Sequence, residues 1–266
     1  MLSTSPRLES SSLEKTPPDE PIPDLTWRLR WMRAAETMAT MQDPHVGGWF
    51  SPAESHMLRD ICLTMLPDTL AVEIGSFMGK STRWAYMGTL FSGAQLACVD
   101  PFTSSGAGEP EHIVRFYRKL APHGSFSVWV GNLSPFTQRL PQEEIEVHLE
   151  ESRKAAASWG DRKISVLFID GLHTECLLDL QAWLPHLEDH AMVLMHDVNG
   201  SGAYGESGPD NTYYHMIQGG WTPYGRADSL AALTRDPGWW HTRYESINAL
   251  ISSITAGEAD NPEGAS

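Results

Sequence analysis

Leu70-Ala71-Val72-Glu73-Ile74-Gly75-Ser76-Phe77-Met78-Gly79-Lys80-Ser81-Thr82 decides how the rest of the chain is read. Its first five residues form an apolar run of strand length, Gly75 and Gly79 punctuate a turn, and apolar positions then recur at helical spacing from Ser81 to Phe91. Strand, glycine turn and helix in direct succession predict one βα unit. A strand that is apolar at every position is buried on both faces, so it needs parallel neighbours joined by crossover helices.

Toward the C-terminus the unit repeats. Gln95 to Val99 reads as a second strand stopping at Asp100, followed by a glycine-rich loop, Ser104 to Gly108, and a helix with Ile113, Phe116, Tyr117 and Leu120 on one face. Ser125 to Val130 reads as a third strand, ahead of the Gly131-Asn132 pair, and Pro141 to Gly160 as an acidic, helical stretch. Ile164 to Ile169 is the most apolar strand and stops at Asp170; Thr174 to Leu187 is a helix with Leu177, Leu180, Leu184 and Leu187 inward; Ala191 to Met195 is a buried strand stopping at His196-Asp197. The alternation predicts an α/β fold: a single doubly wound Rossmann-like domain with a mostly parallel central sheet and helices on both faces. Gly200 to Tyr244 is expected to supply loops and the last strands, with Trp221, Trp239, Trp240, Tyr213, Tyr214 and Tyr224 more in the core than in a pocket.

Toward the N-terminus, Ser51 is placed to cap a helix from Ala53 to about Met65, and Leu25 to Met41 is an amphipathic helix that either packs on the domain or lids it. The resulting organisation is a disordered tail over 1–24, N-terminal helices over 25–66, the main domain over 67–255 and a second disordered tail over 256–266.

Composition narrows the function. With 19 Lys plus Arg against 34 Asp plus Glu, the formal charge of −15 repels nucleic acid, and no basic cluster offsets it. No apolar stretch is long enough to span a bilayer and no targeting segment is evident, so a cytoplasmic protein is expected. The three cysteines, Cys62, Cys98 and Cys176, sit apart in apolar segments and read as buried thiols. A small-molecule partner is favoured over nucleic acid or membrane, with a homo-oligomer left open.

In an open parallel sheet ligands bind beyond the carboxyl ends of the strands, so the polar residues that end each apolar run are the informative ones. Glu73, Asp100, Gly131-Asn132, Asp170 and His196-Asp197 hold those positions. In the first turn Gly75 permits a tight bend and Gly79 a close helix start, with Ser76, Ser81 and Thr82 alongside. Its middle position is Phe77, where a dinucleotide turn would place glycine to admit a pyrophosphate. A nucleoside donor without phosphate needs no such glycine, which favours S-adenosylmethionine over NAD. Asp100, 21 residues beyond Gly79, is suited to accept both ribose hydroxyls.

The chain resembles class I S-adenosylmethionine-dependent methyltransferases of the catechol O-methyltransferase and macrocin O-methyltransferase type over about Gly47 to Val198. The likeness lies in Gly48-Trp49-Phe50-Ser51-Pro52, in Glu73-Ile74-Gly75-Ser76-Phe77-Met78-Gly79-Lys80-Ser81, in Val99-Asp100, and in Phe168-Ile169-Asp170-Gly171-Leu172-His173. Asp179-Leu180-Gln181-Ala182-Trp183-Leu184-Pro185 and Met195-His196-Asp197 complete it. The resemblance implies methyl transfer to an oxygen, with Glu73 facing the methionine or ribose end, Asp100 on the ribose and Gly131-Asn132 beside the adenine.

Asp170 and Asp197, ending adjacent strands, are placed to hold a divalent cation such as Mg²⁺ or Mn²⁺. The last pair departs from the Asp-Asn of catechol enzymes and the Glu-Asp of macrolide-sugar enzymes. Here it is His196-Asp197, then Val198, so His196 reads as a ligand to a softer ion, a second base, or a hydrogen-bonding partner of a nearby loop. His173, where catechol enzymes carry a lysine, is the expected general base. The expected activity is O-methylation of a small molecule, in natural-product biosynthesis. Nitrogen or carbon acceptors, or a donor-binding subunit without catalysis, are the alternatives. The loop Gly200 to Asn211 is a candidate substrate lid.

Overall fold

The computed structural model describes residues 25–103, 111–121 and 124–260. The expected tail over 1–24, the glycine-rich loop Ser104 to Gly108 and the end of the chain after Asp260 lie outside the described residues.

The quoted stretch folds as read. Strand β1 (Leu70–Ile74) passes through the turn into a helix, Lys80–Ser92, which becomes α3 once α1 (Leu25–Gln42) and α2 (Pro52–Leu63) are counted. Then follow β2 (Gln95–Val99), α4 (Glu111–Leu120), α5 (Phe126–Leu133), α6 (Pro141–Glu144), β3 (Glu146–His148), α7 (Ser152–Ala157) and β4 (Ile164–Ile169). The chain continues through α8 (Cys176–Trp183), β5 (Leu187–Met195), α9 (Pro209–Gln218), β6 (Thr222–Ala227), β7 (Leu230–Thr234) and α10 (Pro237–Asp260). The seven-stranded sheet runs β3-β2-β1-β4-β5-β7-β6. Its first five strands are parallel; β7 is antiparallel to both β5 and β6. The order reverses between β1 and β4, and that switch point is where such sheets open a ligand crevice.

Alternation along the strands builds two cores. Ala71, Cys98, Val166, Phe168, Met192 and Leu194 face the layer that includes α1, α2, α3, α5 and α10. Val72, Ile74, Ala97, Val99, Leu167, Ile169 and Val193 face the layer of α7, α8 and α9. α1 buries Leu29, Met32, Ala35 and Ala39 and packs on α3, so the packing reading of that helix holds. Trp221 and Trp240 are buried in the cores, whereas Tyr214 is exposed.

Two sequence expectations fail together. Ser125 to Val130 is not a strand: α5 places Phe126, Trp129 and Leu133 on one side, with Phe126 and Trp129 stacked 5.8 Å apart. Its β-branched valines suggest a strand only in too short a window. The strand that does pair beside β2 is β3, inside the stretch read as helical, with Ala97, Cys98 and Val99 opposite Glu146, Val147 and His148. Three residues bearing Glu and His make a short, charged edge, which blunts further strand addition and also hides the apolar signature of a strand.

Candidate active site

The turn after β1 is fixed from below. Glu73 is 1% exposed and accepts hydrogen bonds from Ser76 Oγ (2.7 Å), Ser81 Oγ (2.5 Å), Thr82 Oγ1 (2.5 Å) and Cys98 Sγ (3.3 Å). Burial pushes its carboxyl above the usual range, and those donors hold it back. The expectation that Glu73 faces the donor is therefore corrected: it braces the turn from within, while Gly75, Ser76, Phe77 and Ser81 line the cavity above it. Thr82 is also buried and accepts from Trp129 Nε1 at 3.3 Å. Gly75 has φ +86°, and a Cβ there would lie 2.2 Å from the Asp170 carbonyl oxygen, so the backbones of the turn and of the β4 end touch. Gly79 has φ +81° and its missing side chain makes room for Trp129.

Asp100 continues β2 beside this turn. Its Oδ2 accepts from the Phe77 N–H at 2.8 Å and its Oδ1 from the Phe102 N–H at 2.5 Å. Burial raises its carboxyl above the ordinary value, against the backbone donors of Phe77, Phe102 and Ser76. A carboxylate has about four acceptor positions, so backbone donors do not exhaust it, and the remaining capacity suits a ribose hydroxyl. Gly131 and Asn132 do not end a strand. Gly131 is exposed on α5, and Asn132 Nδ2 donates to the Met78 carbonyl at 2.9 Å, stabilising the turn from the side. The strand end next to Asp100 is instead His148, whose carbonyl accepts from the Asp100 N–H at 3.1 Å. This places His148 to Glu151 where Gly131-Asn132 was expected.

A second group of side chains gathers beyond β4 and β5. His173 Nε2 lies 2.7 Å from Asp197 Oδ2 and 4.0 Å from Asp170 Oδ1. His196 Nδ1 lies 3.0 Å from Asp170 Oδ1 and 3.7 Å from Asp197 Oδ2. The other His196 nitrogen, Nε2, faces Glu54 Oε2 at 3.4 Å and Ser229 Oγ at 3.3 Å. Glu54 is in turn held by the Ser51 N–H (2.7 Å) and by the Ser229 N–H and Oγ (3.0 and 2.6 Å). Burial alone would lower the His196 pKa, but Asp170, Glu54 and Asp197 raise it to about 11. Burial likewise opposes ionisation of Glu54, yet hydrogen bonds from His196, Ser229 and Ser51 draw it down to about 2. Carboxylates on both sides favour the charged form of His196, which suits a hydrogen-bonding partner better than a second base.

Both groups border one cavity of about 290 Å³. Its wall runs from the turn, through Lys80 and Asp170, to His173, His196, Asp197 and Tyr204, and the lead-in Gly47 to Phe50 covers it. Lys80 Nζ donates to the Gly48 carbonyl at 3.2 Å, and buried Arg83 pairs with Asp43, so the lead-in and the turn just before it are each tied to α3. Phe50 rests against His196 at 5.5 Å, and Tyr204 stacks on His173 at 4.6 Å. Tyr204 lies in the expected lid loop, whose Gly200 and Gly202 N–H groups both donate to Asp210 at 2.8 Å. Sequence reasoning missed Tyr204, Trp49, Phe50 and Ser229 as site residues, and read Glu54 only as a first-turn acid. The Ser51-x-x-Glu54 capping box was visible, but its contact with Ser229 spans 175 residues.

Residues 72–198 match the methyltransferase domain family. Over this span the chain is similar to a methyltransferase domain. Among solved structures, a protein from Corynebacterium glutamicum superposes with a TM-score of 0.51 at 15% identity, over 76% of this chain and 89% of that one. The O-methyltransferase TomG from Streptomyces achromogenes, involved in tomaymycin synthesis and crystallised with S-adenosylmethionine, gives 0.47 at 15% identity over 77% and 89%. An O-methyltransferase from Bacillus cereus in complex with S-adenosylhomocysteine gives 0.44 at 14% identity over 77% and 90%. No curated protein sequence matches the chain. Among the described residues no helix is long and apolar enough to cross a membrane.

The expected donor, S-adenosylmethionine, fits these residues: the Asp100 carboxylate stands beside the turn, and the cavity runs along Gly75 to Ser81. A divalent cation also finds suitable donors. Asp170, His173 and His196 offer ligand atoms all within 4.8 Å of one another, with Asp197 Oδ2 adjoining them.

Proposed function

We propose that this protein is an S-adenosylmethionine-dependent methyltransferase that acts on a hydroxyl group of a small molecule of the natural-product kind. The observation that carries the proposal is that the donor turn and the Asp-His cluster line the same cavity, so a methyl donor and a proton acceptor share one enclosed space. When bound, S-adenosylmethionine supplies an electrophilic methyl group: the new C–O bond forms as the C–S bond breaks and its electron pair stays on sulfur. The protein's task is alignment and removal of one proton.

In the protein without a bound cation, that proton goes to His173. Its Nε2 is paired with Asp197, which lowers the cost of the imidazolium that forms, and its ring is kept in place by Tyr204. Burial works against the Asp197 carboxylate, but His173 and His196 keep its pKa below the ordinary range, so it stays charged as the partner of that imidazolium. An amine that is already neutral, such as an aromatic one, attacks through its lone pair without prior deprotonation, whereas a hydroxyl gains most from losing its proton. A positioned imidazole–carboxylate pair therefore favours oxygen. Asp170, Asp197, His196 and His173 would hold a cation if one binds.

The test is transfer of label from methyl-labelled donor to a panel of catechols, phenols and sugar hydroxyls, alongside calorimetry with S-adenosylhomocysteine. Labelled ether products support the proposal. Label on nitrogen or carbon overturns the acceptor assignment, and donor binding with no transfer to any acceptor in extracts of the producing cells points to a non-catalytic subunit.

A further inference from the structure

Tyr204 reaches His173 from a loop, yet its ring lies nearly flat on the imidazole, with the centroids 4.6 Å and the planes 19° apart. A loop residue holds such a contact only when its own main chain is fixed. This loop is fixed at each stage. The Val198 N–H donates to the Ser229 carbonyl at 2.9 Å and the Val198 carbonyl accepts from Arg226, which sets the start. Gly200 and Gly202 then donate to Oδ1 and Oδ2 of Asp210, each at 2.8 Å. A turn closed by the Gly205 N–H on the Gly202 carbonyl (3.2 Å) carries Tyr204, and Asn211 Nδ2 holds the Gly205 carbonyl at 2.9 Å. Past it, the Leu177 N–H on α8 donates to the Ser207 carbonyl at 3.0 Å.

We propose that Asp210 is a positioning residue for His173: it holds the loop that lays Tyr204 on the face of the imidazole, while Asp197 holds the edge at 2.7 Å. Asp210 does not line the cavity. It is 9% exposed in the first turn of α9, where the start of a helix favours a carboxylate. Its two oxygens fix two main-chain positions ahead of Tyr204, whereas Asn211 and Leu177 fix positions after it. Loss of the Asp210 carboxylate therefore frees the half of the loop that leads to the ring. Gly208 makes the fold-back close: a Cβ there would stand 2.7 Å from the Tyr204 Cβ, so main chain packs directly behind the root of that side chain.

An imidazole gripped at one edge can still swing about that contact. An aromatic ring stacked on its face blocks the swing and adds the attraction between the two π-systems. Order imposed before a substrate arrives does not have to be supplied on the way to the transition state. The use of this device as support for a base rests on the methyltransferase reading; the coupling from Asp210 through Tyr204 to His173 does not.

The experiment uses the full chain, isotope-labelled at histidine, and reads the imidazole protons by nuclear magnetic resonance, with His173 identified by its loss in His173→Asn. A stacked ring shifts the His173 signal upfield. That shift should vanish in Tyr204→Ala, persist in Tyr204→Phe and shrink in Asp210→Asn. Where Asp210→Asn does not fold, Asp210→Glu, which keeps the charge but moves the grip by one methylene, should displace the signal in the same direction. With the hydroxyl acceptor of the label-transfer panel that turns over fastest, Tyr204→Ala and Asp210→Asn should each lower kcat about 10- to 100-fold, and Tyr204→Phe far less. Affinity for S-adenosylhomocysteine should stay within about twofold. The Tyr204→Ala/Asp210→Asn double variant should be no worse than the worse single variant, again within about twofold. Multiplying losses, or a His173 signal unmoved in the Asp210 variants, would overturn the proposal. A His173 signal that responds to both residues, in a protein that transfers no methyl group, keeps the coupling and removes the methyltransferase reading. Methyl transfer with an unmoved signal does the reverse.

Discussion

The two sides of the cavity stabilise buried carboxylates by opposite means. On the donor side, Glu73 is surrounded by three hydroxyls and a thiol, all neutral, and its pKa rises. On the acceptor side, Glu54 and Asp197 face imidazoles, and their pKa values fall. Neutral donors satisfy lone pairs without changing the net charge, which suits a brace beneath a turn that must hold its shape. Imidazole–carboxylate pairs hold charge that can move, which suits proton transfer or cation binding. The difference separates a scaffold from a reacting group, although both are built from the same residue type.

That contrast can be broken most severely on the acceptor side. His173→Asn should lower kcat by about 100- to 10,000-fold, the usual worth of a positioned base, while calorimetry finds S-adenosylhomocysteine affinity within about twofold of wild type. Collapse of donor affinity in that variant would show that the two sides are not separable. Next in size is Gly75→Ala, which combines positive φ with a backbone clash and should cost about 3 kcal/mol or more in urea unfolding. An unchanged unfolding midpoint would refute the contact with Asp170. Asp100→Asn comes third. Donor affinity should fall about 10- to 100-fold, because the charge that holds both backbone N–H groups and the ribose is lost, with kcat at saturating donor little altered.

The smallest effect sharpens the comparison with a carboxylate that has neither full set of partners. Asp179 is 4% exposed; burial raises its pKa from 3.8 to about 6, with Ser152 opposing and Glu175 adding to the rise. The folded chain therefore holds this proton more tightly than the unfolded chain, so ionisation of Asp179 erodes stability as pH climbs from about 4 to 6. Asp179→Asn should stabilise the protein by about 2 kcal/mol at pH 8 and have little effect at pH 4. Equal thermal shifts at the two pH values would contradict the assignment.

Legibility in the sequence followed burial. β1, β2 and β4 begin and end where their apolar runs do, because a strand covered on both faces admits few other residue types. The edges were unreadable for the opposite reason: β3 carries Glu146 and His148, and β6 includes Pro223 and Gly225, so neither shows strand periodicity. The site divides in the same way. Asp100, Asp170, His173, His196 and Asp197 stand at strand ends, where topology alone marks them. Ser229 and the second role of Glu54 arise only because the β6–β7 hairpin reaches back to the start of α2, a contact with no local pattern to announce it.

The contact between Gly75 and the Asp170 carbonyl makes the two substrates' berths mechanically continuous. No side chain cushions the place where they meet, so a displacement of the loop that carries one reactant is passed as a rigid push into the strand that steers the other. The relative placement of the turn and the β4 end is thereby set in the main chain, before any substituent is chosen to refine it.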